Sequence, residues 1–271
     1  MTALETAAPW LRCPVCGTGL AWAGRSLVCP TGHVFDVAKQ GYVNLVGHSA
    51  PSNADTVAMV AARHRFLSAG HYDHITDAVA EAVLGARRLL EVGAGTGHHL
   101  ARVLDHLPSA HGLAADISVP ASRRAAKAHP RMAAVVADTW AGLPLADRSV
   151  DAVLCLFAPR NPAEFQRVLA DDGVVVVVLP KPDHLRELRD AHALLEVGED
   201  KVDKLLQSSS THLNLVASTD VTHELELSAD EATDLVAMGP NAFHTNVSAP
   251  AIRTRLSVTC LTFRVLHTPR R

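Results

Sequence analysis

The sequence has no excess of positive charge, no long apolar run and few cysteines, and each shortage removes a class of protein. With 25 Lys and Arg against 28 Asp and Glu, its formal net charge is −3. The chain as a whole is therefore not an electrostatic glove for nucleic acid, although a local basic patch fits inside that average. The longest apolar run, Val174 to Leu179, falls far short of the roughly 20 residues that cross a bilayer, so no membrane partner is expected. Residues 1–10 carry neither a basic start nor an apolar stretch. No secretory leader is expected, and the cytoplasm is the expected compartment. Aromatics make up only 4% of the chain, and no repeat or low-complexity tract interrupts it. What remains is a 48% hydrophobic chain of 271 residues, enough for a small module and one domain of ordinary size.

The few cysteines are not scattered. Three of the five fall in the first thirty residues, as Cys13-Pro14-Val15-Cys16-Gly17 and Cys29-Pro30-Thr31-Gly32-His33. Three cysteines leave one unpaired in any disulfide scheme, and a reducing compartment keeps thiols free for metal. Two tight turns, each shaped by Pro and Gly, aim paired soft ligands at one point. The spacing is that of a tetrahedral Cys₃His zinc site formed by Cys13, Cys16, Cys29 and His33. Four protein ligands leave no open position for a reactive water, so the ion is expected to be structural. A module this small buries too little apolar surface alone, and zinc supplies ~10–16 kcal/mol of folding energy in comparable peptides.

A second motif lies at Leu89-Leu90-Glu91-Val92-Gly93-Ala94-Gly95-Thr96-Gly97. An apolar strand enters a glycine-rich turn, and an amphipathic helix follows with Leu100, Val103, Leu104 and Leu107. A dinucleotide fingerprint would need glycine where His98 stands. The acid followed by G-x-G-x-G instead resembles class I S-adenosylmethionine-dependent methyltransferases. Glycine lets a ligand approach the backbone, and the helix N-terminus offers N–H groups to an anion such as a carboxylate.

The pattern beyond the motif is α/β. Strands are expected over 111–115 ending in Asp116, 132–137 ending in Asp138, 150–157 and 173–179, with a helix over 162–169. Asp116 is placed to accept from ribose hydroxyls, and Asp138 stands where this class contacts adenine. The nearly all-valine fifth strand reads as buried on both faces. Later strands at 221–227 and 258–266, with helices at 183–197 and 229–238, fit an antiparallel tail to a parallel sheet. A helix over 53–67 is expected in the connection between module and sheet.

The order of motifs is also that of a family. Cys-Pro-x-Cys, Cys-Pro-x-x-His, then Phe35-Asp36-x-Ala38-Lys39-x-Gly41-Tyr42-Val43-Asn44-Leu45 resembles the 23S ribosomal RNA (guanine-N1)-methyltransferases, of the RlmA and tylosin-resistance types. Asp55 to Met59, Arg63, Phe66-Leu67, Gly70-His71-Tyr72, Ala158-Pro159, Pro180-x-Pro182-x-His184-Leu185 and Met238-Gly239-Pro240 extend the likeness over nearly the whole chain. Gly239-Pro240 resembles the tylosin-type branch more. The resemblance implies a class I, Rossmann-like methyltransferase sheet behind a zinc-ribbon-like module: residues 1–45 for zinc and RNA recognition, 46–71 a linker with a helix, and 72–271 the catalytic domain. It implies methyl transfer from S-adenosylmethionine to N1 of a guanine in a 23S rRNA hairpin loop, a change that can hinder macrolide binding. The expected cofactor residues are Tyr72, Glu91, Gly93, Gly95, Thr96, Gly97, Asp116, Asp138 and His184. Asp138 departs from the enterobacterial pattern, which has a small hydroxyl residue, so its role rests on the wider class.

The sequence names no general base; Asp138, Asn161 and His184 are conceivable. Arg12, Arg25 and Lys39 are candidates for phosphate contacts, and Trp22 for stacking on bases, whereas Phe35 and Tyr42 read as filling of the module core. A homodimer is left open. Two other classes compete: a small-molecule methyltransferase with a structural zinc module, and a zinc-ribbon binding protein whose methyltransferase-like domain has lost activity. The intact Glu91, Gly93, Gly95, Gly97 and Asp116 speak against the last.

Overall fold

The computed structural model describes residues 1–47, 51, 54–192, 194–239, 242 and 248–266. The chain opens with α1 (Ala3–Ala7), whose start is fixed by a reciprocal cap between Thr2 and Glu5. A three-stranded antiparallel ribbon follows, of β1 (Ala21–Trp22), β2 (Ser26–Val28) and β3 (Val34–Asp36). Next come β4 (Tyr42–Asn44), α2 (Val57–Ser68), α3 (Asp73–Ala82), β5 (Arg88–Val92), α4 (His98–His106), β6 (His111–Asp116), α5 (Val119–Ala125), β7 (Met132–Val136) and β8 (Val150–Leu156). The chain continues through α6 (Pro162–Val168), β9 (Leu169–Pro180), α7 (Arg186–His192), α8 (Lys201–Ser209), β10 (Leu213–Leu227), α9 (Ala229–Ala237) and β11 (Ile252–Val265).

Among the described residues the large sheet has eight strands in the order β10-β11-β9-β8-β5-β6-β7-β4. Strands β4 to β9 run parallel, while β11 and β10 close the other edge antiparallel. From β5 the chain moves outward to β6 and β7, then returns to place β8 on the opposite flank. That reversal opens a crevice at the carboxyl ends of β5 and β8, where open α/β sheets bind ligands. Val175 to Leu179 of β9 are buried throughout, as valines covered on both faces should be.

The ribbon is docked on this sheet. Leu4, Trp10, Leu11 and Leu27 share one buried cluster with Leu113, Leu145 and Phe165. Arg12 N–H also donates to the Pro144 carbonyl at 2.9 Å. Tyr42, expected to fill the module core, instead belongs to the core of the large sheet, because β4 pairs in parallel with β7.

Two expected helices are shorter than the pattern suggests. Helix α2 begins at Val57, where the Thr56 side chain accepts from Met59 N–H; Asn53, the expected start, lies outside the described residues. Helix α7 begins only at Arg186. Lys181 and Leu185 are tied through backbone hydrogen bonds to Ser257 and Arg255 of β11, and Leu185 sits at φ 53°, so the segment before Arg186 is not helical. Pro240, from the Met-Gly-Pro signature, also lies outside the described residues.

Candidate functional site

The first site is built by two turns. Gly17 and Gly32 take φ of 73° and 90°, and their N–H groups return to the carbonyls of Cys13 and Cys29. The turns bring ligand atoms of Cys13, Cys16, Cys29 and His33 within 4.8 Å of one another. Cys16 Sγ lies 3.8 Å from Cys29 Sγ, and His33 Nδ1 lies 3.6 Å from Cys13 Sγ. A tetrahedron with Zn–S of about 2.3 Å has S–S edges of about 3.8 Å, so the donor set fits zinc. The Thr31 hydroxyl is 3.0 Å from both Cys16 and Cys29 sulfurs, and that of Thr18 is 3.1 Å from Cys16. Thr18 and Thr31 bring the Cys16 thiol down to about 7. Against the pull of burial, Thr31 and His33 bring Cys29 to about 5. Both favour the thiolate that a metal requires. Sequence reasoning named the ligands but not these threonines.

The second site is a cavity of about 770 Å³ at the sheet's switch point. Tyr72, Glu91, Gly93, Gly95, Asp116, Asp138 and His184 all line it. A Cβ on Gly93, at φ 60°, would stand 2.6 Å from Ala158 Cβ; one on Gly95, at φ 55°, would stand 2.9 Å from Arg63 Nη1. Bare backbone is thus required on both counts. Asp116 accepts from Gly95 N–H at 2.7 Å and from Ser118 N–H at 2.8 Å. Burial pushes its carboxyl above the usual range. Glu91, buried behind it, accepts from Leu100 N–H at 3.2 Å, and burial pushes it up to about 8. Asp138 accepts from Trp140 N–H at 2.8 Å.

Thr96 and Gly97 do not line the cavity. Thr96 is buried, and its hydroxyl has no partner among the described residues. Gly97, at φ 73°, precedes α4, and a Cβ there would stand 2.6 Å from Met132 Cε. Its role in this structure is to let the turn pack on β7 and α5.

Three aromatic rings meet at the cavity. His184 lies 6.0 Å from Phe157 at 24° and 6.3 Å from Tyr72, centroid to centroid. His184 Nδ1 accepts from Ser257 N–H at 3.1 Å, which fixes the proton on Nε2. Burial, then Arg189, pushes its pKa down to about 4, so the ring is neutral near pH 7 and its one lone pair is engaged by Ser257. Asn161 is engaged as well. Its amide oxygen caps α6 and its nitrogen donates to the Thr139 carbonyl at 3.0 Å.

The structure adds residues that local sequence could not place. Arg63 from α2 is ion-paired with Asp55 and donates to the Met238 carbonyl at 2.7 Å. Asp55 and Arg63 both line the cavity beside Gly95. Phe157 is 41% exposed and holds φ 54°, and Trp140 on the rim is 68% exposed. On the ribbon, Trp22 and Phe35 pack against the core beneath it. Arg12 is paired with Asp147 at 3.1 Å, and Arg25 and Lys39 are exposed.

Comparison with known proteins bears on both sites. The zinc-ribbon family model described as "RlmA, N-terminal" matches residues 11–48, and one described as "Methyltransferase domain" matches residues 89–173. The chain is 47% identical over 260 residues to a Micromonospora griseorubida protein named "Putative 23S rRNA (guanine-N(1)-)-methyltransferase", covering 88% of each chain. It is 44% identical over 241 residues to the 23S rRNA (guanine(748)-N(1))-methyltransferase of Streptomyces fradiae, covering 87% of this chain and 86% of that one. Among solved structures, a chain from the complex of the Haloferax volcanii Trm112 methyltransferase activator with its methyltransferase aligns with a TM-score of 0.51 at 14% identity. That alignment covers 78% of this chain and 96% of the other, and it supports the fold alone.

Proposed function

Because this chain belongs to the family of 23S rRNA (guanine-N1)-methyltransferases, we propose that it methylates N1 of a guanine in 23S rRNA with S-adenosylmethionine as donor. The observation that carries the reading is one continuous likeness, spanning the Cys₃His ribbon and the glycine-walled cavity together. A small-molecule methyltransferase would share the cavity but has no need of the ribbon.

The cavity fits the donor on its own evidence. Gly93 and Gly95 line it, with no room for a Cβ against Ala158 and Arg63, and Asp116 offers a carboxylate at the end of β6 for ribose hydroxyls. Asp138, expected to meet adenine, lines it with Trp140, and so do Tyr72 and His184. Bound there, S-adenosylmethionine supplies a methyl group made electrophilic by its sulfonium. The protein's task is to hold the guanine nitrogen in line at attack distance. His184 contributes a neutral ring with an N–H, so it adds no positive charge beside a sulfonium.

Guanine N1 lies on the Watson–Crick edge, so the base must be unpaired or flipped out. Phe157 is suited to receive it. A phenylalanine at positive φ costs about 1–2 kcal/mol, and the strain is held by a hydrogen bond from its N–H to the Val178 carbonyl at 3.2 Å. The result is an exposed ring at the end of β8 inside the cavity, next to His184. Arg25 and Lys39, both exposed, are available for phosphate contacts.

An rRNA substrate implies a cytoplasmic enzyme, and no helix among the described residues is long and apolar enough to cross a membrane. Every residue invoked lies on one chain; a homodimer is a separate expectation that sedimentation can read. The test is methyl transfer from labelled S-adenosylmethionine, offered 23S rRNA fragments and a panel of small metabolites. Label should enter RNA. Turnover of a metabolite with none in RNA would replace this reading by the small-molecule one.

A further inference from the structure

Two cations line the cavity and a third stands near them. Arg189 from α7 is 7% exposed, lines the cavity, and has a buried Nε with no acceptor among the described residues. Its other nitrogens reach the Pro182 carbonyl at 2.5 Å and the Glu196 carboxylate at 3.3 Å, and the Glu196 side chain is 82% exposed. Lys201, the first residue of α8, lines the same cavity, half-buried. Arg160 follows Pro159, itself a cavity residue, at the end of β8. Burial, then Arg160 and Arg189, lowers the Lys201 pKa, so the three positive charges feel one another. A buried arginine nitrogen without an acceptor is costly, and like charges repel, with only the exposed Glu196, also at the cavity, set against Arg189. An anion relieves both.

A separate cation, Arg63, stands against Gly95 at the glycine turn, beside the amino-acid end of the donor in the reading above. Resting on the function proposed above, we infer that Arg189, Lys201 and Arg160 form a phosphate clamp that grips the RNA backbone at the target nucleotide while its base enters beside Phe157. Arginine suits this role because its planar fork matches phosphate oxygens, and the α8 N-terminus at Lys201 adds oriented N–H groups. The clamp also answers the net charge of the chain. It concentrates positive charge where the reaction needs it, within a protein that is slightly acidic overall.

The chemistry alone fits either an RNA phosphate or the donor's carboxylate, and the experiment separates them. Lys201→Gln, Arg189→Gln and Lys201→Arg are compared with the wild-type protein. The readouts are binding of S-adenosylhomocysteine by calorimetry, and binding and methylation of a 23S rRNA fragment across a salt series. For Lys201→Gln we expect RNA affinity to fall roughly tenfold and the slope of log K against log salt to shrink by about 0.7–1. S-adenosylhomocysteine binding should stay within about twofold, and Lys201→Arg should restore the slope. Arg189→Gln should behave like Lys201→Gln; Lys201 is half-buried at a helix end, so its variant decides the matter even if Arg189→Gln fails to fold. Unchanged RNA affinity and slope in Lys201→Gln would overturn the clamp while leaving the methyltransferase reading intact. Weakened S-adenosylhomocysteine binding with an unchanged slope would assign these cations to the donor instead. A wild-type protein that neither binds nor methylates the fragment would overturn both.

Discussion

The carboxylate of Asp116 accepts a 2.7 Å hydrogen bond from the backbone N–H of Gly95. One bond thus joins the end of β6 to the glycine turn after β5, and it holds the two parts of the donor site at a fixed distance.

Gly95→Asp should therefore abolish donor binding. The new side chain would meet Arg63 Nη1, forces a non-glycine residue to φ 55°, and adds a third carboxylate beside Asp55 and Asp116. The strain, about 1–2 kcal/mol, falls on the fold; the loss of binding comes from the filled space and the added charge. Calorimetry with S-adenosylhomocysteine should give no heat for the variant; wild-type heat would remove Gly95 from the site.

Arg63→Leu should weaken the donor by about tenfold, because breaking a half-buried ion pair strands its partner. Arg63 balances Asp55, whose charge, like burial, pushes Asp116 upward. The double variant Arg63→Leu/Asp55→Asn should recover part of the loss. No recovery would mean that Arg63 serves the ligand directly, not through Asp55.

How much of this was legible follows from what each signal depends on. The strands β5 to β9 announce themselves because central strands are covered on both faces and read as apolar runs. The edge strand β10 begins at Leu213 rather than the expected Val221, because side chains from Asn214 to Asp220 are exposed on both faces and no alternation marks it. Helices α3 and α8 carried no cap or spacing strong enough to be read. Zinc ligands sit in two short motifs and were visible, whereas the Arg63–Asp55 pair gains its meaning only when α2 folds over Gly95. Thr96, drawn into the site by its place in the motif, faces the interior.

Glu91 should make stability depend on pH. Its folded-state pKa, about 8, stands above the ordinary carboxylate value of 4.5. Between these values the unfolded chain has lost a proton that the folded chain keeps. Stability from this group therefore falls as pH rises from the lower value to the upper, then levels off. The full span is on the order of 4–5 kcal/mol. Glu91→Gln keeps the acceptor for Leu100 N–H and should gain on the wild type as pH rises through this window, read by denaturant unfolding. Parallel curves for the two proteins would show that Glu91 ionises normally.

The zinc site should be separable from the donor site. Cys13→Ser should lose the ion, measured as zinc per chain, and should lose RNA methylation with it. The large sheet should remain folded and still bind S-adenosylhomocysteine. Its thermal midpoint should drop, because Trp10 and Leu11 share a core with Leu145 and Phe165. Normal zinc content in the variant would show that Cys13 is not a ligand.

His184 should leave no mark on the pH–rate profile. Its Nδ1 is engaged by Ser257 and its pKa lies at about 4, so no histidine-like break between roughly pH 5 and 7 belongs to it. His184→Gln should lower the rate with the profile shape unchanged. A break that disappears in the variant would identify His184 as the base after all.

The most direct measurement is the identity of the methylated nucleoside. Purified protein, S-adenosylmethionine and an unmodified 23S rRNA fragment are incubated, the RNA is digested, and the nucleosides are resolved by mass spectrometry alongside a reverse-transcription stop assay. The account expects N1-methylguanosine and a single strong stop at an unpaired guanine, since the methyl group blocks the pairing edge. Methyl groups on another base, on ribose, or nowhere in the RNA would contradict it.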